Sequence, residues 1–192
     1  GRELGTDYIL EGTIRWDDSQ QPGRVRITPR LVRVSDDTQL WSDSYEREVT
    51  EIFALQAAIA TRIADALDLT LAQSERRALD IRPTASIAAY QAYLQGMKRL
   101  NAPGFGPESF ALGVQMFERA VSLDSTFALA EARLASMHAR MYHYGFDRTA
   151  ERLAAARSAG DRALELDSRL AEGHLALGHY YSWGTREYDL AL

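Results

Sequence analysis

An α+β layer followed by an all-α helical repeat (an α-solenoid) is the fold class this sequence predicts, and three observations predict it. Residues 8–16 alternate apolar and polar side chains, the period of a half-buried strand. Ile52, Leu55, Ile59, Ile63 and Leu67 recur at three- and four-residue spacing, the stripe of an amphipathic helix. Further on, one pattern returns at a constant offset of 43 residues, which is repeat behaviour.

The first strand is expected to carry Tyr8, Leu10, Ile14 and Trp16 on one side and Glu11, Thr13 and Arg15 on the other. Asp17 to Gly23 has the composition of a turn. A second strand then sets Val25, Ile27 and Leu31 inward and Arg24, Arg26, Thr28 and Arg30 outward. Pro29 cannot donate to a ladder, so this strand is expected at an edge or bulged there. After the turn Ser35–Thr38, residues 39–47 predict a third strand, making an antiparallel three-stranded meander. Thr50 is expected to cap the long helix, whose apolar stripe should cover the sheet. Each such side chain, fully buried, stabilises by roughly 1.5–3 kcal/mol.

The outward arginines Arg15, Arg24, Arg26 and Arg30 invite a nucleic-acid or anionic-ligand reading. The solvated-face reading is preferred, because Glu11 and Asp17 lie close by and no aromatic residue interleaves on that side. Thr70 to Gln73 fits a capping box for a short helix, and Ile81-Arg82-Pro83-Thr84 breaks the chain. The expected divisions are an α+β part at 1–70, a linker with a short helix at 71–85, and helical repeats at 86–192.

The repeat is carried by Arg119 to Ser125, followed by Ala128 and Leu134-Ala135, and by Arg162 to Ser168, followed by Ala171 and Leu177-Gly178. Helices are predicted at about 86–101, 107–123, 126–143, 148–166 and 169–183, with a truncated one from 185. Small residues at Gly113, Ala120, Ala135, Ala156, Ala163 and Gly178 allow close helix approach. Asn101 to Pro107 reads as a loop. Gly1 to Gly5 reads as the last turn of a helix, and the chain as a fragment of a longer protein.

These residues resemble the tetratricopeptide repeat. Leu177-Gly178 with Tyr181 matches its helix A, and Gly113, Phe117, Ala120 and Leu123-Asp124 match its helix B. Departures are Ser125 and Ser168 for the usual Pro, Gly160 for an aromatic, Glu131 and His138 at large aromatic positions, and a period beyond the family's usual length. The resemblance implies a concave groove lined by the A helices, with Tyr90, Tyr93, Met97, Ser136, Arg140, His179 and Trp183 facing it. Packing of several of these between helices is the alternative.

The N-terminal half is similar to a second module on Leu4 to Gly12, Arg24 to Ile27, Leu40-Trp41 and Ile52 to Gln56. It resembles the TolB N-terminal and FlgO-like module ahead of such repeats in bacterial adenylate-cyclase-like, Ser/Thr-kinase and winged-helix regulators. That resemblance implies a signalling or envelope context, with this chain lacking the module's first strand and most of its first helix. Bacterial cytoplasm and the extracytoplasmic side of the inner membrane both stay open.

The sequence carries few motifs for chemistry. No phosphate loop, zinc-protease pair or nucleophile elbow occurs. Gly104-Phe105-Gly106 has no strand before it and no third Gly after it, so it is no dinucleotide fingerprint. Of the four histidines, His138/His143 and His174/His179 stand five apart, about 140° round a helix, whereas paired metal ligands favour four. Asp17-Asp18 and Asp36-Asp37 read as turn-formers rather than a cation site. With no Cys and a net charge of −5, neither a thiolate metal site nor a nucleic-acid partner is favoured. No stretch reaches the ~18 apolar residues a bilayer span needs.

The expectations are therefore no enzymatic role, no cofactor and no metal. The preferred function is a scaffold or regulatory module that binds a protein or peptide partner, or neighbouring domains of its own chain, in the helical groove. The rival is a sensor whose α+β part binds a small ligand while the repeats transmit the signal or form a homodimer.

Overall fold

A computed structural model of the chain describes residues 5–17, 19, 23–79, 82–100 and 106–191. The expected helical turn at Gly1–Leu4, the middle of the turn after Asp17, the break at Ile81 and most of the 101–107 loop lie outside the described residues. The chain divides into two compact units, residues 1–82 and 83–192.

The first unit is an antiparallel sheet with one long helix. Strand β1 (Tyr8–Asp17) pairs with β2 (Arg24–Arg33) from Tyr8↔Arg33 to Asp17↔Arg24. The expected third strand is broken into β3 (Thr38–Ser42) and β4 (Tyr45–Glu48), and both pieces pair with the other side of β2. Strand β2 is therefore central rather than at an edge, with a register shift at Leu31/Val32. Pro29 survives there because its carbonyl accepts Asp43 N–H at 3.3 Å, so its donor-less side faces the gap between β3 and β4. Across the other ladder sits Gly12, where a Cβ would lie 2.6 Å from the backbone oxygen of Thr28.

Helix α1 (Ile52–Ala66) is entered through a 3-10 turn at Val49–Glu51, and Thr50 makes no capping bond to it. The one-turn 3-10 entry takes up the position that a capped α-helical start needs. Ile52 and Leu55 of the predicted stripe are buried, while Ile59, Ile63 and Leu67 are half-buried. The helix packs on β2, β3 and β4 and buries Val25 and Leu31. It does not close over β1, where Tyr8, Leu10, Ile14 and Trp16 stay 42–58% exposed. Strands lie about 4.8 Å apart and a helix is about 10 Å wide, so one helix covers two strands, not three. The expectation that the stripe covers the whole sheet is corrected accordingly. Helix α2 (Gln73–Leu79) starts with Glu75 accepting Ala72 N–H at 2.7 Å, two residues beyond the expected capping box.

The second unit is all helical: α3 (Ile87–Leu100), α4 (Pro107–Leu123), α5 (Ala128–His143), α6 (Ala150–Leu166) and α7 (Ala171–His179). Each packs on the next, and α5 also packs on α7. The 43-residue offset has a conformational counterpart. Asp124 and Asp167 end α4 and α6 with nearly the same backbone, φ −152 ψ 99 and φ −145 ψ 97. Each carboxylate then accepts the amide two residues on, at 2.9 and 3.0 Å. This Asx turn does the reversal that the expected Pro is absent to make. Ala120, Ala135 and Ala163 are fully buried, and the close α6–α7 approach leaves a Cβ on Gly160 only 2.6 Å from Leu177.

The last expected helices differ. After α7 the chain widens into a π-helical turn, Tyr180–Thr185, then Arg186 adopts φ 61. Residues 188–190 make one 3-10 turn in place of a helix from 185. The left-handed Arg186 ends the π-helical turn there.

Candidate functional site

Arg133, Ser136, Arg140 and His143 recur at three- and four-residue spacing, so they share one face of α5. That face turns toward α7 and the π-helical turn. Arg133 meets Glu172 at 3.4 Å and lies beside the Tyr93 hydroxyl. Burial raises the Tyr93 pKa and the Arg133 contact pulls it back. Further along, Trp183 is held between two imidazoles: His179 at 3.9 Å between ring centroids and 8° between planes, His143 at 4.7 Å and 27°. The wider π-helical turn rotates Trp183 into that slot.

Electrostatically this end is one-sided. The pKa of His179 is lowered to about 4, first by burial and then by Arg140 and His143 close by. The Nδ1 of His179 and the Nε of Arg140 are buried without a hydrogen-bond partner. Such groups are costly unless something answers them.

The seven residues expected to line a groove divide. Tyr90, Tyr93 and Ser136 are buried, and Tyr93 packs on Phe117 and Phe127 at 5.8 and 5.2 Å. Met97 is half-buried on α3. Arg140, His179 and Trp183 come together, joined by His143. By sequence spacing His143 pairs only with His138 on its own helix. Its ring stacks instead on Trp183 of the π-helical turn, a contact that no single-helix spacing reveals. His138 instead points to α6, where Arg152 donates to its Nδ1 at 2.7 Å and itself meets Asp147 at 2.8 Å.

A hollow of about 810 Å³ lies between α5 and α6. Its charges answer one another: Arg157 meets Asp161 at 2.6 Å and Arg162 meets Glu165 at 3.1 Å. On the sheet, Arg24 meets Glu46 at 3.1 Å, Arg26 meets the same carboxylate, and Arg30 pairs with Glu11. Among the described residues no helix is long and apolar enough to cross a membrane, and no three His, Asp or Glu cluster in metal-holding geometry.

No family model matches the chain. Over 186 residues, 96% of its length, it is 26% identical to a protein of Rhizobium meliloti (strain 1021) named "Putative adenylate cyclase 3". The match spans 31% of that relative, so the chain covers about a third of its length. The expectation of no enzymatic role is corrected by this finding: nearly the whole chain aligns with a protein that bears an enzyme's name. The distant likeness supports a regulatory or signalling context.

Proposed function

We propose that the chain is a regulatory section of an adenylate-cyclase-related signalling protein, and that it binds a protein or peptide partner along the joined faces of α3, α5 and α7. On this reading the helical unit is a tetratricopeptide-type array and the α+β layer is the TolB-N/FlgO-like module ahead of it. The observation that carries the binding face is the convergence of Arg140, His143, His179 and Trp183, with two buried polar atoms unanswered. The half-buried Arg140 offers a guanidinium to a peptide carbonyl or acidic side chain, and the half-buried Trp183 supplies rigid contact area. The match along 96% of the chain to the named cyclase supports the setting.

The sensor reading has less to rest on. The hollow on the sheet, about 270 Å³, is flanked by Arg24 and Arg26, and Glu46 already holds both.

Affinity capture with the immobilised chain tests the proposal, beside an Arg140→Ala/Trp183→Ala variant shown by circular dichroism to stay folded. Capture of a specific partner by the chain and its loss with the variant is the expected result. Equal capture by both sinks the face as drawn.

A further inference from the structure

Beside Trp183, between the end of α5, the segment before α6 and the π-helical turn, lies a second hollow of about 530 Å³. We infer that this hollow is an oxyanion pocket, which takes a phosphate or carboxylate group carried by the bound partner. The inference rests on the groove reading above and names the chemistry that part of the groove selects.

The lining is all donors and no acids. Arg148, Arg186, Tyr142, Tyr188, Ser182 and Trp183 contribute guanidinium, hydroxyl and indole groups, and among the described residues neither Asp nor Glu lines the hollow. Elsewhere in the same unit Arg133, Arg152, Arg157 and Arg162 each hold a carboxylate. Arg148 and Arg186 hold none among the described residues. Their positive charge is therefore not neutralised by a carboxylate there.

The two guanidiniums are also placed. Arg148 donates to the carbonyls of Tyr142 and His143 at 3.3 Å each, which fixes its fork at the end of α5. Arg186 keeps φ 61, a left-handed conformation that costs a non-glycine residue roughly 1–2 kcal/mol. Strain of this kind persists where the surroundings over-determine it, and it gathers at ligand clamps. An oxyanion accepts several charge-assisted bonds at once from such a set, whereas a cation is repelled. The volume exceeds a bare phosphate or carboxylate and leaves room for the side chain that bears it.

Titration of the purified chain with sodium phosphate and, separately, sodium acetate tests this. Ionic strength is held with sodium chloride, and the Trp183 indole N–H is followed by NMR after assignment with Trp183→Phe. A saturable shift with phosphate alone supports the pocket and points to a phosphorylated partner. Saturation by both at similar concentrations supports it and points to an acidic one. Arg186→Gln is expected to weaken binding about tenfold or more, the worth of a charged hydrogen bond. Arg148→Gln, checked by circular dichroism because Arg148 also caps α5, is expected to do the same. No saturable shift with either ion, or an unchanged curve in Arg186→Gln, overturns the inference. Free ions need no partner, so this failure and failure of the capture experiment are separate results.

Discussion

Arg133 of α5 reaches Glu172 of α7 at 3.4 Å and lies beside the Tyr93 hydroxyl of α3, so one guanidinium stands where three helices meet. Both ends of the ion pair are sheltered, at 23% and 34% side-chain exposure. Pairs held this way couple more than surface pairs, because water screens them less.

A double-mutant cycle of Arg133→Ala and Glu172→Ala is therefore expected to show coupling of about 0.5–1 kcal/mol. Arg133→Ala alone should cost more than Glu172→Ala, since it also removes the Tyr93 contact and a packed stem. Urea denaturation of the four proteins measures both quantities. Zero coupling means that the pair contributes nothing to how the helices dock.

The buried His138 gives the protein an acid weakness. Its pKa is lowered to about 4 by burial and then by the charge of Arg152, with Asp147 opposing. Because the folded value lies below the unfolded one, the unfolded chain takes up the proton first. Stability is in place above pH ~6.5 and drains as pH falls toward about 4, by roughly 3 kcal/mol for this group. NMR of the imidazole should show His138 neutral down to about pH 4. Titration near 6.5 contradicts the bond from Arg152, since a protonated Nδ1 has no lone pair to accept it.

What the sequence shows and what it hides divide along physical lines. Helices α3 to α6 are legible because their period and the recurring Leu-Asp endings are local signals. The side of β1 that carries Tyr8, Leu10, Ile14 and Trp16 is legible too, since alternation fixes which side chains share a face. Whether anything covers that face is a matter of helix width and sheet breadth, and periodicity is silent on it. Likewise Pro29 announces a missing donor but not that the third strand breaks opposite it. At the candidate site, Arg140, His179 and Trp183 are reachable from the repeat register, while the link through His143 is a tertiary contact between helices. The π-helical turn that makes this contact follows no composition rule.

Gly12 is where the β1–β2 ladder is least tolerant. A Cβ there meets the Thr28 backbone oxygen at 2.6 Å and the Pro29 Cα at 3.0 Å, and backbone cannot swing aside as a side-chain tip can. Gly12→Ala is expected to destabilise by about 1–3 kcal/mol, the usual result of overpacking, despite the entropy that Ala saves in the unfolded chain. A denaturation midpoint equal to or above that of the parent chain shows that the strands can part locally at little expense.

The uneven cover of the sheet separates two isoleucine-and-valine positions that the alternation alone treats alike. Ile14 and Val25 lie on the same face, yet Ile14 is 58% exposed and Val25 is 0% exposed beneath α1. Replacing an exposed apolar side chain by a polar one changes stability by no more than about 0.5 kcal/mol. Replacing a buried one by Thr buries a hydroxyl and costs about 1–3 kcal/mol. Ile14→Thr should therefore leave the urea midpoint nearly unchanged, and Val25→Thr should lower it clearly. Ile14→Thr should also reduce any self-association of the purified chain, because it shortens a bare apolar row beside an edge strand. Equal destabilisation by the two substitutions means that the β1 face is covered in solution, and sedimentation of the parent chain then shows whether a second copy covers it.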